Sequence, residues 1–369
     1  MSNHFNYLLY GTKSSADEVK RFISHTIESN QKNEAEGKRK TPLCIWGKHG
    51  IGKTQLVEDF ARENEYEFVY IAPAQFEEMG DLIGMPSIID NKTVFVAPEW
   101  VPKGKGPGIL LIDDANRADD RILRGIMQLL QNHELVSWKL PEQWNIILTA
   151  NPDGGDYSVT PMDDAMLTRL LHITMEFDVK EWSKWAENNK IDQRGINFVL
   201  TYPEIVTGNR TTPRSLVQFF EQIASIEHLD EELGLVQMLA DACLDSNTVA
   251  TFMSFVNNNL SKLITPEELI NADDFKTQVL DHLQGIVMSG NGPLRVDIIA
   301  TLCTRLVNYL TINNIDLDTV QLNNIKSFIK IDFIPNDIRL SLAQDLVVSP
   351  KLKVIMADPE IGNLLLSRM

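Results

Sequence analysis

A chain of 369 residues with 43% hydrophobic and 23% charged residues is too long for one small core and too apolar to stay unfolded, so two or three globular domains are expected. Its net charge of -17 works against a surface that tracks nucleic acid. With no run of eighteen apolar residues and a polar start at Met1-Ser2-Asn3-His4, a soluble cytoplasmic protein without a membrane partner is expected.

Residues 1–40 read as a leader, one helix and a linker. Ser15 can cap the helix with Glu18 as its capping-box partner, and Val19, Phe22, Ile23 and Ile27 form its apolar stripe. Asn30 to Lys40 reads as a polar linker that ends in the basic run Lys38-Arg39-Lys40, a solvated segment. From Thr41 to Glu176 strand-like runs alternate with helical ones. Strands are expected at Leu43–Trp46, Glu67–Ala72, Ile109–Asp113, Asn145–Ala150 and Leu171–Glu176, with helices at Gln55–Asn64 and Asp120–Asn132. That alternation implies an α/β core, a parallel five-stranded sheet flanked by helices. Residues 80–107 interrupt it with an irregular stretch rich in Gly and Pro, strand-like at Thr93–Val96; an insert this long is usually functional or disordered. Strand signals then stop. Helical patterns fill an all-α segment at 177–260 and a further helical region at 261–369, where Ser289-Gly290-Asn291-Gly292-Pro293 is the strongest breaker. Cys44, Cys243 and Cys303 lie far apart in apolar runs, as buried thiols do, and the seven histidines show no metal-ligand spacing.

The stretch that organises the core is Gly47-Lys48-His49-Gly50-Ile51-Gly52-Lys53-Thr54, followed by Gln55. It reads G-x-x-x-x-G-K-T between an apolar strand and a helix start, where a phosphate-binding loop must sit. Glycines let backbone N–H groups curl around phosphate oxygens, and the helix N-terminus adds positive potential. Lys53 would reach the β- and γ-phosphates of ATP, and the Thr54 hydroxyl would ligate Mg²⁺. Average composition produces this pattern by chance roughly once per 30,000 positions, or in about one chain of this size in a hundred.

Two further strands end in polar groups. Ile109-Leu110-Leu111-Ile112 delivers Asp113 and Asp114, the first placed to hold Mg²⁺ and the second to orient or deprotonate the attacking water. Asn145 to Ala150 delivers Asn151, a neutral amide that can hold the water or the γ-phosphate without adding negative charge. Arg169 and Arg214 follow as guanidinium groups that could stabilise charge on the transferring phosphate. Because the sheet is parallel, the 18 residues from Asn151 to Arg169 must carry the chain back to the end of the sheet opposite its own phosphate loop.

In order, these pieces resemble the AAA+ ATPases of the MoxR type. The resemblance rests on the phosphate loop, Asp113-Asp114-Ala115-Asn116-Arg117-Ala118, Thr149-Ala150-Asn151-Pro152, Asp164-Ala165-Met166-Leu167-Thr168-Arg169 and Thr212-Pro213-Arg214. Gly80-Asp81-Leu82-Ile83-Gly84 is similar to the start of that clade's helix-2 insert, which the CbbQ and NorQ activases share. The resemblance covers residues 40 to about 230. It implies a P-loop AAA+ core with a helical lid, Mg-dependent ATP hydrolysis and a homo-oligomeric ring, usually a hexamer. It also implies a partner protein, one with a von Willebrand A-type domain in some members. It gives Asn151 the sensor-1 role, Arg169 that of a finger donated to a neighbouring subunit, and Arg214 the sensor-2 role in the lid. The chain departs from the family in having Asp114 where Glu is usual and the charged pair Lys48-His49 inside the loop. One methylene less retracts the carboxylate by more than ~1 Å, enough to slow hydrolysis. A motor that remodels a partner, a slowly hydrolysing nucleotide-gated scaffold and a nucleic-acid motor are therefore the competing functions, the last disfavoured by charge.

Overall fold

The computed structural model describes residues 10–152, 159–207, 210–257, 263–288, 294–313, 317–349, 351–356 and 358–366. The Ser289–Pro293 breaker lies outside them. The chain divides into two compact units, Met1–Asp178 and Val179–Met369; the segments 177–260 and 261–369 thus belong together almost entirely.

The first unit is built on a parallel sheet of six strands, one more than the sequence suggests. The elements are β1 (Thr12–Ser14), α1 (Ala16–Ala35), β2 (Leu43–Trp46), α2 (Lys53–Glu63), β3 (Glu67–Ile71), α3 (Met79–Ile83), β4 (Met85–Ile89) and β5 (Lys92–Val96). They continue with β6 (Gly108–Ile112), α4 (Asp120–Asn132), β7 (Glu134–Leu135), β8 (Trp138–Lys139), β9 (Trp144–Ala150), α5 (Asp164–Leu167) and β10 (Leu171–Met175). The sheet order is β1-β10-β2-β9-β6-β3. The additional strand, β1, pairs with β10 from Thr12↔Ile173 to Ser14↔Met175; three residues with no apolar alternation leave no periodic trace in the sequence.

β2, β6 and β9 are buried along their whole length, and apolar but for Asn145 and Thr149 of β9, because the sheet is covered on both faces. Successive residues point to opposite sides. Leu43, Ile45, Ile109, Leu111 and Ile147 pack with Val19, Ile23 and Ile27 of α1 and with Leu56, Val57 and Phe60 of α2. Cys44, Trp46, Leu110, Ile112, Ile146 and Leu148 pack with Ile122, Ile126, Leu129 and Leu130 of α4. Burial raises the Cys44 thiol pKa, consistent with a packing role. The α1 capping box is present, with Ser15 accepting from the Glu18 N–H. The helix does not stop at Asn30, however, but runs on to Ala35; Lys38 and Arg39 are exposed, as a solvated linker should be, whereas Asn30 and Lys40 are not. Asn30 is buried and donates to the Thr41 carbonyl and to Asn145 Oδ1. Lys40 pairs with Glu34 and donates to the Trp144 carbonyl. Polar residues that satisfy one another inside the fold look, in a sequence, like loop.

The insert is ordered. β4 and β5 form an antiparallel hairpin, Met85↔Val96 to Ile89↔Lys92. It turns through Asp90 and Asn91, both at positive φ (50° and 59°), as a two-residue hairpin loop requires. Trp100 is half-buried: its indole donates to the Asp81 carbonyl and meets Trp138 edge-on at 5.4 Å. Trp138 in turn donates to the Ile83 carbonyl. Gly125 of α4 lets Leu82 and Met79 approach where a Cβ would come within 2.6 Å of Leu82.

The second unit is helical: α6 (Val179–Asn188), α7 (Gln193–Thr201), α8 (Pro213–Ile223), α9 (Leu233–Cys243), α10 (Ser246–Asn257), α11 (Pro266–Asn271), α12 (Asp281–Val287), α13 (Val296–Ile312), α14 (Thr319–Ile329), α15 (Asn336–Val347), α16 (Lys353–Met356) and α17 (Pro359–Leu366). α7 has no clear signal in the sequence because Gly195 interrupts it. The glycine is there for packing, since a Cβ would lie 2.4 Å from the Phe220 ring. Phe198, Phe219, Phe252 and Phe255 pack edge-to-face around it. A buried pair, Arg305 with Glu187 at 3.3 Å, is completed by Asn197; burial pushes the Glu187 pKa up and the Arg305 pKa down.

Candidate nucleotide site

The functional side chains of the first unit collect where β2, β6 and β9 end. Parallel strands in register bring three carboxyl ends to one rim: Trp46 is level with Ala150, and Ile112 with Leu148. Gly47 to Gly52 form the loop after β2, with Gly50 and Gly52 at φ 71° and 96°, left-handed values that glycine adopts without strain. α2 begins at Lys53 and its first intrahelical bond runs from the Leu56 N–H to the Gly52 carbonyl. The N–H groups of the first turn of α2, which an α-helix leaves without an intrahelical acceptor, are the donors that anions seek. The Gln55 side chain donates to Asp59. Lys48 is exposed, and His49 and Ile51 are half-buried.

Lys53 is buried, and its ammonium donates to the carbonyls of Gly47 and Lys48 at 2.7 and 2.9 Å and to Asn151 Oδ1 at 3.3 Å. The Thr54 hydroxyl donates to Asp113 Oδ1 at 2.7 Å. Two residues that the sequence did not single out hold the acids. Thr149, fully buried, donates to Asp113 Oδ1 at 2.6 Å and accepts from the Asp114 N–H at 2.8 Å. Tyr70 on the edge strand β3 donates to Asp113 Oδ2 at 3.2 Å. Thr149 stands two residues before Asn151 on the same face of β9, a period-2 relation that could have revealed it.

Asp114 has left-handed backbone (φ 46°, ψ 45°), a conformation that Asp tolerates better than most residues. Both of its oxygens are engaged: Asn151 Nδ2 donates to Oδ1 at 3.0 Å, and Arg117 Nε lies 3.2 Å from Oδ2. Asn116 locks Asn151 by exchanging side-chain-to-backbone bonds of 2.8 and 3.0 Å. Lys53, Thr54, Asp113, Asp114 and Asn151 therefore form one connected constellation. Thr54 and Asp113 offer hard oxygen donors side by side, the donor set Mg²⁺ takes when phosphates and water complete its shell.

Arg169 is not in that constellation. It precedes β10, whose Leu171 is level with Leu43, the first residue of β2. It therefore lies at the sheet end opposite the loop, half-buried, with Nε donating to Gln131 Oε1 at 3.3 Å and Nη1 to the Ala165 carbonyl. Among the described residues no carboxylate pairs with it. Arg214 belongs to the second unit, exposed on the first turn of α8, a position where the helix dipole disfavours a cation.

Residues 42–170 match the family model described as AAA domain (dynein-related subfamily). A midasin of Giardia intestinalis is 23% identical over 155 residues, 40% of this chain; the match spans only 3% of that protein's length. The Thermotoga maritima RuvB Holliday junction branch migration motor overlaps with a TM-score of 0.35 at 15% identity, over 80% of this chain and 87% of that one. A point mutant of it gives 0.37 at 15%, over 81% and 90%. Overlaps this loose add nothing to what strand order and loop geometry carry. The matched segment, residues 42–170, holds the P-loop, Asp113, Asp114, Asn151 and Arg169, and it is similar to the AAA domains of the dynein-related subfamily.

Proposed function

We propose that this chain is a MoxR-type AAA+ ATPase that hydrolyses ATP with Mg²⁺ and uses the resulting motion, in a cytoplasmic ring that is usually a hexamer, to remodel or activate a partner protein. The observation that carries the reading is the connected set Lys53–Asn151–Asp114 beside Thr54–Asp113. Lys53 and the first-turn N–H groups would bind the phosphates. Thr54 and Asp113 would hold Mg²⁺, which neutralises charge on the phosphate oxygens. Asp114 accepts a proton from, or orients, the attacking water, and Asn151 fixes that carboxylate while bonded to Lys53. Arg169 supplies its charge to a neighbouring copy, and Arg214 acts from the lid. The exposed apolar residues of the insert hairpin, Met85, Ile88, Ile89 and Val96, suit contact with a partner protein, one with a von Willebrand A-type domain by the same resemblance.

The test is Lys53→Ala in an ATP titration. Loss of a charge-assisted contact predicts at least a ~tenfold weaker affinity; unchanged affinity would overturn the reading.

A second reading, a slowly hydrolysing nucleotide-gated scaffold, is favoured by the short Asp114 and by the engagement of both its oxygens. Steady-state turnover of the purified protein separates the two. A nucleic-acid motor is disfavoured by the net charge of -17; stimulation of turnover by DNA would restore it.

A further inference from the structure

His172 stands between the phosphate loop and the turn that carries Arg169. Trp46 is the last residue of β2, directly before Gly47, and its indole Nε1 donates to His172 Nδ1 at 3.0 Å. With Nδ1 accepting, the ring nitrogen Nε2 is the protonated one, and it donates to the Leu167 carbonyl at 2.8 Å. Leu167 ends α5, and the same carbonyl accepts from the Leu170 N–H. The imidazole thereby pins the three-residue turn Leu167-Thr168-Arg169 to the sheet. Tyr10 packs on both rings, 4.4 Å from Trp46 and 5.6 Å from His172, which leaves the imidazole little freedom to tilt. α5 has only four residues and cannot hold such a turn by its own hydrogen bonds.

We propose that His172 is a positioning residue for Arg169: through Trp46 and the Leu167 carbonyl it aligns the finger that one subunit presents to its neighbour's nucleotide with the base of its own phosphate loop. The proposal rests on the trans-acting role given to Arg169 above. Catalytic arginines tolerate little displacement, since about 1 Å of misplacement can cost on the order of a hundredfold in rate.

His172→Phe keeps a planar ring and removes both hydrogen bonds. His172→Gln restores one acceptor and one donor on a planar amide. The expected result is a ten- to hundredfold lower turnover for His172→Phe, with ATP affinity and melting temperature close to wild type, and recovery of most of the turnover in His172→Gln. A positioning defect acts on the neighbour, so mixing His172→Phe with Lys53→Ala subunits should restore part of the turnover, because intact fingers then meet intact loops. The double variant His172→Phe/Arg169→Ala should be no slower than Arg169→Ala alone. If Arg169→Ala loses turnover but His172→Phe does not, the positioning role is overturned and the finger stands. If His172→Phe is slow and mixing fails to rescue it, the defect lies in its own loop and the positioning role is again overturned. Wild-type turnover in Arg169→Ala overturns the finger itself.

Discussion

The two ends of the parallel sheet in the first unit follow opposite rules. At the carboxyl end the charged groups are satisfied within the chain: Lys53 by carbonyls and Asn151, Asp113 by three hydroxyls, Asp114 by Asn151 and Arg117. At the amino end the Arg169 guanidinium meets neutral partners, the Gln131 amide and the Ala165 carbonyl. Among the described residues no carboxylate meets this guanidinium, and the phosphate loop of the same chain is at the far side of the sheet. On the function proposed above, the carboxyl end binds the nucleotide and the amino end presents Arg169 to a neighbouring copy.

The sharpest way to break that contrast is Arg169→Ala. Turnover should fall by about 10³-fold or more while ATP affinity holds, as for other arginine fingers. Turnover per subunit in the wild type should rise with concentration as copies assemble; a flat profile would show that the amino end serves its own subunit. Next in size is Asp114→Asn. The amide still accepts from Asn151 but loses its charge toward Arg117 and its basicity, so turnover should drop by about 10²–10⁴ with binding intact. Wild-type turnover would remove Asp114 from the chemistry. Asp114→Glu asks whether the short side chain limits the rate. Faster hydrolysis would mark the native residue as a restraint, whereas slower hydrolysis would show that the left-handed backbone at 114 fits Asp and not Glu.

A smaller effect separates the ends by pH. His133 ends α4 in a left-handed conformation, two residues after Gln131, the side-chain partner of Arg169. Burial, with the Lys40 charge added, lowers its pKa from 6.5 to about 3. The unfolded chain takes up the proton below 6.5 and the folded chain does not until about 3, so stability from this group is complete above 6.5 and is lost as pH falls. At pH 5 the loss is about 2 kcal/mol. His133→Asn accepts the same backbone conformation and does not titrate. Urea unfolding at pH 7 and pH 5 should show a drop smaller by that amount in the variant; an equal drop would clear His133 of the acid sensitivity.

Much of the carboxyl end was legible because its chemistry is written in contiguous residues. Gly47 to Thr54, Asp113-Asp114 and Asn151 each follow an apolar strand, and a parallel sheet necessarily brings such strand ends together. Arg169 fell at the opposite end for the same topological reason. What stayed hidden depends on pairs distant in sequence. Thr149 and Tyr70 acquire their role only when β9 and β3 flank β6. Lys40 and Asn30 look like solvated linker until α1 is laid on the sheet. The edge strand β1 lacks a pattern because three residues cannot show one. The insert hairpin is hard to read because β4 is exposed along its whole length, so it has no inward face to alternate with an outward one. The second unit was legible as helices, and Arg214 within it by motif alone.

The smallest expected effect concerns that hairpin, and its smallness is the point. Removing Asn91–Pro102 would take Val101, which is buried, and Trp100, which anchors α3 through the Asp81 carbonyl. A cut confined to residues 87–94, bridged by Gly-Ser, avoids both. This leaves Met85, Pro86, Phe95 and Val96 at the base, together with the Phe95 N–H bond to Ser137 Oγ. What is lost is an exposed two-stranded ribbon, including Ile88 at 80% exposure and Ile89 at 47%. Such residues bury little on folding, so each adds little to stability, and a lone hairpin contributes no core. Melting temperature should therefore stay within about 4 °C of wild type, and ATP affinity and basal turnover within about a factor of two. Partner-stimulated turnover should disappear if the apolar strip is what the partner grips. A fall in melting temperature or in ATP affinity would make the hairpin part of the nucleotide-binding end, and the contrast between an end that binds and a surface that is offered would have to be redrawn.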